Sequence, residues 1–264
     1  MSGKTTISII TPSLNQARFI ERTIDSVLNQ DVDFPVEYIV IDGCSTDGTI
    51  EVLRRYNGKI RVVSEPDRGM ADALNKGVLM CTGEIIGWLN SDDTYLPGSL
   101  QKALSYFEHN PDCLWLYGNC HIVDDHDRKI RKWITAYKNR LSRKFSFKRL
   151  LIENFISQPA VFMRRKTLEE AGFIDQDLPT AMDYDLWLRL AKLGQPGYID
   201  DYLACFRVHK DSISSMNYKD QFEEQYRIHK KYDQNPHLLL LHRIIIRLIV
   251  FIYSFNKKIQ ILLK

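Results

Sequence analysis

At 264 residues, with 44% hydrophobic and 26% charged side chains, the chain has globular composition and enough length to bury a real core. A disordered chain is excluded, and a net charge of only +3 carries little information until its distribution along the chain is considered. The five cysteines (Cys44, Cys81, Cys113, Cys120 and Cys205) form no C-x-x-C pair and are odd in number, which points to a reducing compartment with no disulfide framework and no zinc site. Met1 to Thr5 lead straight into the first strand, so no signal peptide is expected.

The first half alternates short apolar runs with helical patterns. Ile7-Ser8-Ile9-Ile10 reads as a strand ended by Thr11-Pro12-Ser13, and Phe19, Ile20, Ile24, Val27 and Leu28 then fall at helical spacing. Tyr38-Ile39-Val40-Ile41 is a second strand, broken by Asp42-Gly43; Thr46-Asp47-Gly48-Thr49 caps a helix carrying Ile50, Val52 and Leu53. Ile60 to Val63 is a third strand, Met70 to about Met80 a helix, and Ile85 to Leu89 a fourth strand. This β-α-β-α rhythm predicts a mostly parallel sheet covered by helices on both faces, with ligands at the carboxyl ends of its strands. Those ends are polar: Thr11 and Ser13, Asp42, Glu65 and Asp67, then Asp92 and Asp93.

The second half is less regular. Cys113 to Tyr117 and Cys120 to Val123 read as two strands, Ala160 to Met163 as a third, with helices near Arg165 to Ala171 and from about Asp183. Between Asp127 and Glu153 there is no acidic residue, while basic residues from Arg128 to Arg149 interleave with Trp133, Tyr137, Phe145 and Phe147. That stretch is either a solvated basic face or a phosphate-binding surface; no nucleic-acid module accompanies it, so no nucleic-acid partner is expected.

Asn90-Ser91-Asp92-Asp93 is the most informative segment. Two adjacent carboxylates at the mouth of a buried strand are costly unless a cation or polar ligand compensates them, and hard oxygen donors suit Mg²⁺ or Mn²⁺. The bland alternative is a turn and helix cap.

Five motifs, in order, carry a resemblance. They are Thr11-Pro12-Ser13-Leu14-Asn15, the run from Ile41 to Thr49, Glu65-Pro66-Asp67-Arg68-Gly69, Asp72-Ala73-Leu74-Asn75-Lys76-Gly77 and Leu89-Asn90-Ser91-Asp92-Asp93. With Ala181-Met182-Asp183-Tyr184-Asp185-Leu186-Trp187 and Phe206-Arg207-Val208-His209 downstream, the chain resembles the family 2 inverting glycosyltransferases of bacterial surface polysaccharide assembly over about residues 5–215. The resemblance implies an α/β chain: a GT-A, Rossmann-like, mostly parallel central sheet flanked by helices, with a C-terminal helical tail. Residues 1–215 would form the catalytic domain, its nucleotide-sugar half about 1–110 and its acceptor half about 111–215, with 216–264 as the tail.

The resemblance also implies roles. Thr11, Pro12 and Ser13 would line the nucleotide pocket; Asp42 would accept a hydrogen bond from the base, as uracil requires, the alternative being a plain turn. Asp67 and Arg68 would sit near ribose and diphosphate. Asp72 and Asn75, three apart on one helix face, are either pocket groups or ordinary helix polar groups. Asp93 would be the metal ligand, Asp92 would contact ribose or metal, and His209 would be a late metal or phosphate ligand. Asn90 departs from the strict Asp-x-Asp form. Asp183 would be the general base, with Asp185 its competitor, and Met182 stands where many relatives have Glu. The implied activity is metal-assisted, inverting transfer of a hexose-type sugar from a nucleotide sugar, expected to be UDP-linked, to a saccharide or lipid-diphosphate-linked saccharide, using Mn²⁺ or Mg²⁺. The alternative is a non-catalytic nucleotide-sugar-binding scaffold subunit.

From Leu238 to Leu263 the chain is dense in Leu, Ile, Val and Phe. On a helix, Arg243, Arg247, Ser254, Lys257 and Lys258 fall within roughly a 100° arc. This predicts an interfacial helix on an anionic membrane surface, hence a cytoplasmic protein peripheral on the inner face of the cell membrane; the alternative is a helix packed on the body or on a second copy. Arg243 and Arg247 interrupt the run too early for a span of roughly 20 apolar residues.

Overall fold

The computed structural model describes residues 6–210, 212 and 218–262. Its first half runs β1 (Ile7–Ser13), α1 (Ile20–Leu28), β2 (Val36–Asp42), α2 (Thr49–Arg54), β3 (Arg61–Ser64), α3 (Met70–Met80) and β4 (Ile85–Trp88). The second half adds β5 (Thr94–Tyr95), α4 (Ser99–His109), β6 (Trp115–Val123), α5 (Lys132–Ser142), α6 (Phe147–Ile152), a 3-10 turn at Gln158–Ala160, β7 (Val161–Arg164), α7 (Arg165–Ala171), α8 (Met182–Leu193) and β8 (Gly197–Arg207). Two helices close it, α9 (Tyr218–Tyr232) and α10 (Pro236–Leu262). All eight strands form one sheet in the order β3-β2-β1-β4-β7-β6-β8-β5. The β1–β2, β2–β3 and β1–β4 pairs are parallel, as the βαβ rhythm requires; β7 then enters antiparallel between β4 and β6, β6 and β8 run parallel, and β5 closes the edge antiparallel to β8.

Strand alternation sorts the core to two faces. Ile10, Ile39, Ile41, Trp115 and Tyr117 pack with Leu74 of α3 and Trp187 of α8, while Ile7, Ile9, Tyr38, Val40 and Leu116 pack with Ile24 of α1 and Leu104 of α4. Every residue of β1 is buried, as expected of a central strand covered on both faces. The strand continues past Ile10 through Thr11, Pro12 and Ser13, three residues beyond the sequence expectation. Pro12 is tolerated because β4 pairs only as far as Ile10, so at Pro12 only β2 remains as a neighbour. Gly77 is fixed by packing: a Cβ there would meet Ile10 Cγ2, so α3 lies too close to β1 for any side chain.

β6 is one strand where the sequence suggested two. Gly118 and Asn119 break the apolar run, and the sheet absorbs them with register shifts against β8. The tail is helical as expected. α10 packs on α6 and α9, and its His242 is buried, with Nδ1 hydrogen-bonded to the Leu151 carbonyl at 2.9 Å. The side chains of Ser254, Lys257 and Lys258 lie outside the described residues. No helix among the described residues is long and apolar enough to cross a membrane.

Candidate active site

A cavity of about 920 Å³ opens at the carboxyl ends of β1 and β4. Pro12 and Ser13 line it from β1, Asp67 to Ala71 from the loop before α3 and that helix's first turn, and Asn90, Ser91 and Asp92 from the loop after β4. Its far wall is built by α5, the end of α6 and the segment after it, α8 and α10, including Lys138, Asn154, Asp183 and Ile245. This is the strand-end crevice that parallel α/β sheets offer to ligands. The Ser13 hydroxyl is buried without a hydrogen-bond partner among the described residues, so a ligand there would meet an unsatisfied donor and acceptor.

The two neighbouring carboxylates are placed differently, and Asp93, the one expected first as metal ligand, is the one turned inward. Asp93 is fully buried and does not line the cavity. Its Oδ1 accepts the Arg207 backbone N–H at 2.8 Å, and burial, reinforced by the Asp92 charge, pushes its carboxyl well above the usual carboxylate range. Asp92 faces the cavity, with Oδ2 at 3.0 Å from Nε2 of His209. The loop is clamped from behind by Arg207, whose buried guanidinium donates to the carbonyls of Asp92 (2.7 Å) and Asp124 (2.8 Å) and to the Asp127 carboxylate. Among the described residues no group of three or more His, Cys, Asp or Glu side chains forms a metal cage. Asp92 fits a hard divalent ion of the kind that keeps one or two protein ligands and takes its remaining oxygens from phosphate and water, while His209 is 8% exposed and, not itself lining the cavity, reaches the site through Asp92.

Asp183 occupies the first turn of α8 and lines the same cavity. Its Oδ1 accepts the Tyr184 N–H at 2.7 Å and its Oδ2 accepts Asn154 Nδ2 at 3.2 Å. Burial raises its carboxyl, while these hydrogen bonds and the nearby Lys138 ammonium pull the other way. The start of α8 is anchored by Glu224 of α9, whose Oε2 accepts from Thr180 N, Thr180 Oγ1 and Ala181 N at 2.6–2.8 Å. Asp185, the competing carboxylate, is only 1% exposed and is engaged by Arg189 Nε (2.8 Å), Tyr232 Oη (2.9 Å) and Lys231 Nζ (3.7 Å). It fastens α8 to α9 and does not reach the cavity.

The remaining expected residues divide. Arg68 lines the cavity, as does Asp67, whose Oδ1 also accepts the Gly69 N–H at 2.9 Å. Thr11 does not: its hydroxyl is buried against that of Tyr38 at 3.1 Å. Asp42 is buried beneath the site, receiving Ser45 N (2.9 Å), Ser45 Oγ and Ser64 Oγ (3.0 Å), and is also absent from the cavity wall. Asp72 accepts the Arg68 N–H at 3.1 Å and lies 3.6 Å from Lys76 Nζ, the ordinary pairing of a helix's first turn. The pocket expectation for Asn75 is corrected: its Nδ2 donates to the Ile174 carbonyl (2.8 Å) and its Oδ1 accepts the Ile174 N–H (2.9 Å), so both polar ends tie α3 to the segment after α7. Lys138, Asn154 and Trp133 were not singled out from the sequence. Only the acid-free stretch around Lys138 gave any signal of them.

The sheet order and the strand-end cavity, lined by Asp92 from a loop and Asp183 from a helix, are those of an α/β protein of the GT-A class. The sequence profile described as "Glycosyl transferase family 2" matches residues 8–173, and the chain belongs to that family. It is 31% identical over 222 residues to the "Putative teichuronic acid biosynthesis glycosyltransferase TuaG" of Bacillus subtilis, covering 82% of this chain and 84% of that protein. It spans only 35% of the length of two other curated relatives, uncharacterized glycosyltransferases of Rickettsia felis and Rickettsia conorii. Among solved structures, TarS 1-349 of S. aureus in complex with UDP-GlcNAc superposes with a TM-score of 0.68 at 19% identity, covering 84% of this chain and 65% of that one. Mannosyltransferase PcManGT of Pyrobaculum calidifontis, in complex with GDP-Man and Mn²⁺, gives 0.67 at 21% identity, covering 91% and 69%.

Proposed function

We propose that this glycosyltransferase moves a hexose-type sugar, with inversion, from a UDP-linked donor to a hydroxyl of a saccharide or lipid-diphosphate-linked saccharide. The observation that carries the reading is that Asp92 and Asp183, on different elements, line one cavity. Direct displacement at an anomeric carbon needs this pair of functions: stabilisation of a leaving diphosphate, and a base that takes the acceptor's proton as its oxygen attacks.

Asp92, with His209 behind it, would hold Mg²⁺ or Mn²⁺, replacing Asp93 in that role. The ion, when bound, acts as a Lewis acid that neutralises charge on the departing diphosphate. Pro12, Ser13, Asp67 and Arg68 would surround the nucleotide, Ser13 with its free hydroxyl and Arg68 with its charge. Asp183 would accept the acceptor hydroxyl's proton. Asn154 holds Asp183 Oδ2 and so orients the carboxylate. Because the nucleophile is an acceptor hydroxyl and not a carboxylate of the protein, an α-linked donor gives a β-linked product.

Location belongs to the same proposal. Leu240, Leu241, Ile244 and Leu248 of α10 are exposed beside exposed Arg243 and Arg247. Apolar side chains flanked by arginines suit the surface of an anionic bilayer, where each basic residue adds on the order of 1 kcal/mol. A peripheral position on the inner membrane face would bring the cavity to lipid-linked acceptors, in surface polysaccharide assembly.

Proton NMR of the first product formed from an α-linked UDP-sugar tests the chemistry. A β-anomeric signal is expected, lost in Asp183→Asn. An α-anomeric product, or transfer that survives in Asp183→Asn, would overturn the mechanism.

A further inference from the structure

Trp133 and Tyr137 lie four residues apart on α5, so their side chains share one helix face. Trp133 is 57% exposed and Tyr137 46%, while Trp88, Trp115 and Trp187 are all buried. Both rings line the cavity that holds Asp183. The Tyr137 ring is held in place, its hydroxyl donating to Glu153 Oε2 at 2.8 Å. Two large rings kept out of the core, and set at the rim of the site on a regular helix, are a surface awaiting a flat, partly apolar ligand.

The rest of that rim identifies the ligand's chemistry. Gln176, Gln221, Gln225 and Asn154 line the cavity too, and Asn154 Oδ1 is buried without a partner among the described residues; Gln158 also lines it, but its amide is engaged by the Trp88 carbonyl and by Asn90. A pyranose matches this combination. Its ring C–H groups form an apolar face that lies against an aromatic ring, and its peripheral hydroxyls need both donors and acceptors, which amides supply. An acyl chain would leave the buried Asn154 Oδ1 without a partner.

We infer that Trp133 and Tyr137 of α5 form a stacking platform for a pyranose ring of the acceptor, with the cavity amides reading its hydroxyls. This deepens the proposed transfer reaction and rests on it. It assigns acceptor recognition to α5 and gives the acid-free segment a role separate from its charge. Lys138, the next residue along, lines the cavity beside the platform.

Trp133 is the exposed member of the four tryptophans, so acrylamide quenching of intrinsic fluorescence reads it selectively. The full chain is titrated, with UDP and Mn²⁺ present, against methyl glycosides and β-linked disaccharides of the common hexoses, N-acetylhexosamines and hexuronic acids. In a separate arm it is titrated with phosphatidylglycerol vesicles. At least one saccharide is expected to shield Trp133 from quenching, and Tyr137→Ala should weaken that saccharide's affinity roughly tenfold, as loss of one ring contact implies. UDP affinity should stay within twofold. Tyr137→Phe, which keeps the ring but loses the Glu153 hydrogen bond, should retain most of the binding. Shielding by vesicles with none by any saccharide would make these rings a membrane anchor and overturn the platform, and so would the absence of shielding in both arms. Loss of UDP binding in the unmutated chain would instead refute the transfer reading, so the two failures are distinguishable.

Discussion

Asp183 and Asp185 sit two residues apart in the first turn of one helix, and their environments assign them opposite behaviour on neutralisation. Asp185 is a buried anion with a hydrogen-bonded cationic partner, Arg189, whose guanidinium also donates to the Ala171 and Gly172 carbonyls. Asp185→Asn leaves that guanidinium, whose side chain is only 18% exposed, without its counter-charge. Breaking such a pair costs about 3 kcal/mol, at the lower end for buried pairs because Arg189 keeps its carbonyl partners. At roughly 2–4 °C per kcal/mol for a chain of this size, Tm should fall by about 6–12 °C. Asp183 is the reverse case. Burial holds its folded-state pKa above the unfolded value, so folding favours its protonated form, and its ionised carboxylate disfavours folding once pH has risen through the folded pKa. Asp183→Asn removes that penalty, so Tm at neutral pH should be unchanged or higher while transfer falls by about 10²–10⁴, the usual contribution of a general base. Thermal unfolding followed by fluorescence, alongside labelled-sugar transfer, reads both. The assignment is refuted if Asp183→Asn destabilises as much as Asp185→Asn, or if Asp185→Asn abolishes transfer at a temperature where the protein remains folded.

The pH profile carries a related expectation. Asp183 must be ionised to act, so the acid limb of kcat should lie above an ordinary carboxylate's, and Asn154→Ala, which removes a bond favouring the ionised form, should move it further up; an unshifted or downward-shifted limb counts against Asp183 as the base. Asp92→Asn should abolish the stabilisation that Mn²⁺ with UDP gives in a thermal-shift assay while leaving the unliganded Tm within about 2 °C. Asp93→Ala should instead cost about 1–3 kcal/mol of stability by stranding the buried Arg207 N–H, so equal Tm losses in the two variants would undo their division. Gly77→Ala, normally helpful inside a helix, should destabilise by about 1–3 kcal/mol because the new methyl meets Ile10; calorimetry showing stabilisation would contradict the packing. Replacing exposed Leu240, Ile244 and Leu248 of α10 together by Gln should cut sedimentation with phosphatidylglycerol vesicles at least tenfold, and unchanged sedimentation would remove this helix from any membrane contact.

The parallel half of the sheet was legible because its signals are local: unbroken apolar runs, helix-spaced repeats and polar strand ends. β6 was split in reading because Gly118 and Asn119 are poor strand formers, and only pairing with β8 across a bulge keeps them extended. Antiparallel β7 is set by which neighbours accept it, which no single segment encodes. In the site, the motifs located the right loops but not the direction of each side chain. Asp92 and Asp93 look equivalent in a sequence; Arg207, more than a hundred positions away, draws Asp93 inward and leaves Asp92 facing the cavity. Asn75 and Asp42 carry the right chemistry for a pocket, yet their hydrogen bonds to Ile174, Ser45 and Ser64 are made inside the protein. Trp133 stood in the sequence only as one of four aromatics among basic residues, because an exposed aromatic and a buried one look alike until the helix is docked.

The central claim is that the strand-end cavity binds a nucleoside diphosphate through an ion held by Asp92. Calorimetric titration of UDP into the full chain, with and without Mn²⁺, tests it most directly. The account predicts UDP binding that Mn²⁺ tightens at least tenfold, an enhancement lost in Asp92→Asn. Binding indifferent to Mn²⁺, or an enhancement that survives in Asp92→Asn and vanishes in Asp93→Asn, would contradict it.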